Sequence, residues 1–253
     1  LKNTKKTQGA KMILGVIPAR LCSTRLYKKI LKDINGKPMI IHTADAASKS
    51  LTINKLVIAV DNENVKNTIE SYGYDVLLTS VDCKSGTDRV NQAADFYKDA
   101  DIIINIQADE PLLDYRDIDK LTRVFNRSMS VDMATLVSTR LTMNELSDTG
   151  VVKAYVDSEG YAWTFNRDPF YGETLDNLGG IYKHIGIYAF RRDALKRFTM
   201  LEQTDNEKIK KLEQLRAIDN NIRIKAVVTS HDYLSVDTET DLKRVKQRIN
   251  SIA

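Results

Sequence analysis

Short apolar runs alternate with amphipathic stretches through the first half of the chain. Met12 to Ile17, Lys55 to Val60, Asp75 to Leu78, Ile102 to Ile106 and Met133 to Val137 read as strands. Between them, Met39 to Ser48, Glu63 to Tyr72, Asp88 to Tyr97 and Asp117 to Asn126 have helical spacing of apolar positions. That alternation predicts an α/β fold built from βαβ units around a mostly parallel sheet. Pro18 is expected to break the first strand.

Beyond Leu141 the pattern changes. Val151 to Val156 and Tyr161 to Phe165, joined by Asp157-Ser158-Glu159-Gly160, predict a hairpin. A strand (Tyr182 to Phe190) and two helices (Arg192 to Thr199, Asn206 to Ile218) follow. Ile222 to Val228 reads as a late strand and Thr238 to Ile252 as a closing helix. With no repeat and no Pro/Gly-rich linker, residues 12–253 fit one domain with an inserted excursion at about 141–216. The polar start, Leu1 to Lys11, reads as a disordered leader, an engineered remnant or the cut end of a longer chain.

Composition narrows the function classes. The chain has 253 residues, 42% hydrophobic and 28% charged, as in an ordinary water-soluble protein. A net charge of +4 suits an anionic substrate, but the cations are dispersed and form no nucleic-acid footprint. No run of 18 apolar residues suggests a membrane span. Cys22 and Cys83 give no disulfide framework, so a reducing cytoplasm is the expected compartment. The three histidines lack metal-ligand spacing, and the P-loop, dinucleotide and nucleophile-elbow motifs are absent.

The segment VIPARLCSTRLYKKIL carries the clearest chemistry. Directly after a hydrophobic strand it supplies Arg20, Ser23, Thr24, Arg25, Lys28 and Lys29, a set suited to cradling a polyphosphate. Ligands of open α/β sheets bind just beyond the carboxyl ends of the strands. Asp109, in NIQADEPLL, stands after another strand, where a carboxylate facing phosphates would hold Mg²⁺. Asp237 has two readings, metal ligand or helix N-cap beside Thr238, and read alone the cap is the better account. Ser85, Gly86, Thr87 and Arg89 open a helix whose amides suit an anion or a base edge as well as ordinary capping. His184 sits in an apolar strand, where a structural role is the usual one. Glu213, Gln214 and Arg216 fall on a predicted helix, ordinarily a solvated face.

VIPARLCSTRL, INGKPMI, SGTDRV, NIQADEPLL, KHIGIYAFRRDAL, LEQLRAI and SVDTETDL occur together in one order, from about Met12 to Arg248. In this the chain resembles the 3-deoxy-manno-octulosonate (Kdo) cytidylyltransferases. The resemblance implies a three-layer nucleotidyltransferase fold with a dimerisation excursion, a cytoplasmic homodimer, and Mg²⁺-dependent use of CTP. It implies CMP transfer to an acidic eight-carbon sugar for lipopolysaccharide or related glycan synthesis. By resemblance, Arg20, Ser23, Arg25 and Lys29 bind triphosphate, and Ser85, Gly86, Thr87 and Arg89 lie near the cytidine. Asp109 and Asp237 hold the metal, and with Arg20 and Lys29 make up the catalytic set. Gln107, Arg167, His184, Glu213 and Gln214 surround the sugar.

The chain also departs from the family. Where the family commonly reads L-P-G-K-P-L, this chain has Leu26-Tyr27-Lys28-Lys29-Ile30-Leu31, and Ala108 replaces a common Gly. The stretch after Arg167 is short, which leaves the 8-amino analogue of Kdo open, with Asp168, Glu173 or Asp176 available to an ammonium. Other readings are a cytidylyltransferase for a sialic-acid-like sugar and a non-catalytic nucleotide-binding regulatory homologue.

Overall fold

The computed structural model describes residues 11–21, 26–170 and 180–252. Leu1 to Ala10 lie outside these residues, as do Cys22, Ser23, Thr24, Arg25, Glu173 and Asp176.

The chain begins with β1 (Ile13–Ala19) and a 3₁₀ turn (Lys29–Leu31). A small hairpin follows, β2 (Asp33–Ile34) and β3 (Lys37–Pro38), reversing at Asn35-Gly36, both with positive φ. Next come α1 (Met39–Ala47), β4 (Lys55–Val60), α2 (Glu63–Glu70), β5 (Val76–Leu78), α3 (Gly86–Ala94) and β6 (Ile102–Asn105). Then α4 (Tyr115–Arg127), β7 (Met133–Ser138), α5 (Met143–Ser147) and the hairpin β8 (Lys153–Val156) with β9 (Tyr161–Asn166). The chain continues with β10 (Ile181–Arg191), α6 (Arg192–Met200), α7 (Asp205–Lys210), α8 (Leu215–Asp219), β11 (Ile224–Thr229) and α9 (Glu239–Ile252).

Among the described residues, nine strands form one sheet in the order β5-β4-β1-β6-β10-β7-β11-β9-β8. The first four are parallel, and β10 runs antiparallel to both β6 and β7. The start of β10 also pairs with β8, so β10, β7, β11, β9 and β8 close into a ring.

Side-chain alternation explains the three layers, because strands buried on both faces need apolar residues at every position. In β1, β4 and β6, Ile17, Ile58, Val60, Ile102 and Ile104 face α1, α2 and α4, meeting Ile41, Val65 and Leu121. Leu14, Val16, Val57 and Ile103 face the other way, toward Val90 and Ala93 of α3 and Leu195 and Phe198 of α6. Asn105, the last residue of β6, is the polar exception and is 1% exposed.

Two expectations need correction. β1 runs through Pro18, which pairs in register with Ala59. The β6 ladder ends at Val16, so the N–H that Pro18 lacks has no partner strand to meet on that side. The single helix expected over Asn206 to Ile218 is two helices. Lys211 takes a left-handed conformation (φ 53°) that ends α7. Arg216 then folds α8 back onto α7 through a two-pronged bond to Glu207, at 2.8 and 2.6 Å.

Candidate active site

The carboxyl ends of β1 and β6 open onto a cleft of about 320 Å³, lined by Arg20, Lys29, Ser85, Gly86, Arg89, Gln107 and Asp109 among others. Each wall has a local origin. Arg20 is the exposed residue that follows β1. Ser85 caps α3 in a reciprocal box with Asp88, so the helix starts at Gly86 and its first amides stand beside the cleft. An added Cβ at Gly86 would meet Pro18 Cγ at 3.7 Å, ordinary contact, so protein packing is not what requires the glycine.

At the mouth, Lys29 Nζ donates to Asp109 Oδ2 at 2.5 Å and to Asp237 Oδ1 at 2.9 Å. Burial works against the Lys29 charge, but the two carboxylates more than offset it and raise its pKa. Asp237 is released for this role because Thr238 and Asp241 cap α9 reciprocally: Asp241 N–H donates to Thr238 Oγ1, and Thr238 N–H to Asp241 Oδ2. The cap reading of the sequence therefore falls to Thr238. Behind Asp109, Glu110 is buried, accepts from Ser235 Oγ, and has its pKa pushed up to about 8 by burial and by Asp109.

Lys28 stands where the resemblance places a glycine. Lys28 adopts φ 48°, ψ 39°, the left-handed region that Gly enters without cost. Ile30, 5% exposed, fills its position as a core residue.

A polar relay leads deeper from the cleft. Gln107 Nε2 donates to Asn105 Oδ1 (3.2 Å), Asn105 Nδ2 to Thr87 Oγ1 (3.3 Å), and Thr87 Oγ1 to Glu213 Oε2 (2.6 Å). Gln214 is 5% exposed, and its Nε2 lacks a hydrogen-bond partner among the described residues, as does Glu213 Oε1. These residues sit at the bend before α8 rather than on a solvated helix face. Burial raises the Glu213 pKa against the hydrogen bonds from Thr87 and Ser85. Arg216, 3.7 Å from Glu213 Oε1, stacks over Phe198 and fixes the bend.

His184 and Tyr188, four residues apart, share one side of β10 by strand alternation, which the two-residue register shift between Ile185 and Tyr188 preserves. His184 Nε2 lies 3.2 Å from Thr135 Oγ1, with its ring between Phe165 and Tyr188. Burial, with Arg167 nearby, lowers its pKa to about 3, so the imidazole is neutral. Arg167 donates to Gly150 O at 2.9 Å. Its own carbonyl accepts from Lys153, a fully buried ammonium that also binds the carbonyls of Asp148 and Val151. Asp168 pairs with Lys210 at 3.4 Å. Of the residues the sequence placed near the cytidine, Arg89 has its guanidinium on Asp61, Thr79 and Ser80, and Asp61 holds the Leu21 amide.

Two site residues escaped the sequence reading. Asn105 had a signal, the lone polar side chain closing an isoleucine run. Tyr188 had none, since an aromatic in HIGIYAF reads as core, yet it feels the charges of both Glu213 and Arg167.

A sheet-edge cleft of this kind, with cations at its mouth and paired acids beside them, suits nucleotidyl transfer, and similarity to known proteins places the chain among the nucleotidyltransferases. A family model described as cytidylyltransferase matches residues 14–224. The 3-deoxy-manno-octulosonate cytidylyltransferase of Chloroherpeton thalassium is 42% identical, covering 91% of this chain and 95% of that one. An 8-amino-3,8-dideoxy-manno-octulosonate cytidylyltransferase from Shewanella sp. (strain ANA-3) is 38% identical over 92% and 97% of the two chains. The structure of CMP:2-keto-3-deoxy-manno-octonic acid synthetase complexed with CTP superposes with a TM-score of 0.89 at 32% identity, covering 96% of this chain and all of that one. The chain belongs to the 3-deoxy-manno-octulosonate cytidylyltransferase family.

Proposed function

We propose that the chain transfers CMP from CTP to the anomeric hydroxyl of a 3-deoxy-2-ketoaldonic acid, Kdo or its 8-amino analogue, releasing pyrophosphate. The observation that carries this reading is the convergence of Asp109 and Asp237 on the Lys29 ammonium at the mouth of the cleft. Two hard carboxylate oxygens around one cationic point fit a divalent ion. Bound there, Mg²⁺ would neutralise phosphate oxygens and acidify a nearby hydroxyl.

The residues divide the remaining work. Arg20 and Lys29 offset the charge of the triphosphate, and the first amides of α3 offer donors to the nucleotide. Arg167 suits the sugar carboxylate. Gln107, neutral His184, Glu213 and Gln214 offer donors and acceptors to its hydroxyls. In the reaction the sugar oxygen bonds to the α-phosphorus, the bond to the bridging oxygen breaks, pyrophosphate departs and the hydroxyl proton is lost. Such transfer needs positioning and charge neutralisation rather than an enzyme nucleophile. The same reading makes the protein a cytoplasmic homodimer serving lipopolysaccharide or related surface-glycan synthesis.

Pyrophosphate release with CTP, Mg²⁺ and a panel of Kdo, 8-amino-Kdo and sialic acids tests the reading. Release with one of the octulosonates is expected. Release only with sialic acids moves the substrate class, and no release with any sugar favours a nucleotide-binding regulatory homologue.

A further inference from the structure

Between β11 and α9 the chain runs as a strap in which alternate side chains meet acidic residues from β6's exit loop and α4. Thr229 Oγ1, His231 Nδ1 and Tyr233 OH all reach Asp117 Oδ2, at 2.7, 2.6 and 2.9 Å. Ser235 Oγ donates to Glu110, and Asp237 joins Asp109 through Lys29. A spacing of two is that of an extended chain, whose alternate side chains share one side. The strap's own main chain is also held along this path: Lys183 Nζ donates to Tyr233 O at 3.1 Å, and Val236 N–H donates to Asp109 O at 3.0 Å.

Asp117 is fully buried, and its other oxygen accepts from Lys120 at 2.8 Å. A buried carboxylate with three donors from one segment on a single oxygen fixes that segment's register. Tyr233 is only four residues before Asp237, so a shift at Asp117 displaces the carboxylate at the mouth of the cleft.

We propose that Asp117 is a positioning residue for Asp237, acting through His231 and Tyr233 to set where that carboxylate stands relative to Asp109. The proposal deepens the metal-site reading above and rests on it for its effect on turnover. Outer contacts that orient metal-binding groups are worth about 10–100-fold in metal affinity or activity.

The experiment uses the full chain with Asp117→Asn, Tyr233→Phe and Thr229→Val. The last two each remove one donor and keep the protein folded if Asp117→Asn does not. Hydrogen–deuterium exchange without ligands reads the strap, and loss of the free Mn²⁺ resonance signal reads the metal site. In Tyr233→Phe, faster exchange confined to peptides spanning 230–238 is expected, with Mn²⁺ affinity and kcat each falling about tenfold and the sugar KM moving less than twofold. Unchanged exchange in that segment, or changed exchange with Mn²⁺ affinity and kcat intact, overturns the proposal. If wild-type protein takes up no Mn²⁺ yet turns over, the metal reading fails. Exchange and kcat then still decide whether Asp117 positions Asp237.

Discussion

Thr87 and Glu213, 126 positions apart in the chain, meet across 2.6 Å and join α3 to the bend before α8. In the proposed function the Thr87 side chain supports the sugar-facing Glu213, while only the first amides of α3 face the nucleotide. Thr87→Val is therefore expected to raise the sugar KM several-fold and leave the CTP KM nearly unchanged. In a double-mutant cycle with Glu213→Gln, kcat/KM for the sugar should show a coupling of about 1–2 kcal/mol. Additive effects would refute the coupling.

Lys29→Met should do two opposite things. Turnover falls by about 100-fold or more, because a cation facing the triphosphate is gone. Mn²⁺ affinity measured without nucleotide rises, because no ammonium competes for Asp109 and Asp237. A weaker Mn²⁺ affinity in this variant would mean that Lys29 assembles the metal site rather than competing with it.

Asp109→Asn and Asp237→Asn are each expected to lower pyrophosphate release by about 1,000-fold or more, with melting temperatures within a few degrees of the parent. Near-normal release from either variant would remove that residue from the catalytic set.

Lys28→Gly should stabilise the chain by about 0.5–1 kcal/mol in urea unfolding, since the left-handed backbone at φ 48° disfavours a side chain. The gain is reduced by the lost contact of the Lys28 ammonium with the Tyr27 ring, 5.3 Å away. A loss of stability would show that this contact outweighs the backbone strain.

His184 gives the stability a pH dependence. Its folded pKa, about 3, lies below the ordinary 6.5. Between those values the unfolded chain holds a proton that the folded chain does not. The contribution is therefore complete above pH 6.5 and is lost as pH falls toward 3, with a slope of at most about 1.4 kcal/mol per unit. His184→Asn should flatten this share, narrowing its stability gap to wild type by roughly 1–2 kcal/mol between pH 7 and 5. A gap that stays constant across that range would place the ring in a more polar setting.

Much of the fold was legible because its signals are local. The isoleucine run of β6 and the β-branched run of β4 could hardly be anything but buried strands, and Ser85 announced the start of α3. Pro18 misled because the cost of a missing N–H depends on whether a neighbouring strand is there to use it, and β6 has ended by that point. The helix expected from Asn206 to Ile218 misled because Lys211 turns left-handed with no glycine to signal it. At the site, Lys29 and Asp109 were legible as neighbours at strand ends and the resemblance grouped Asp237 with them, but the direct pairing of Lys29 with both carboxylates, across up to 208 positions, was not. Asp117 and Lys153 were invisible as organisers, since an acid or a lysine reads as solvated until its surroundings are known.

Asp109 and Asp237 stand at the mouth of the cleft with Glu110 buried behind Asp109, yet the charge of these three carboxyl groups is largely quenched from within. Glu110 keeps its proton up to about pH 8, and the Lys29 ammonium sits against the other two. The resting protein therefore has no dense negative spot demanding a counter-ion. On the proposed metal reading, chelator-treated chain should stay folded and idle, and added divalent salt should start it without any refolding step.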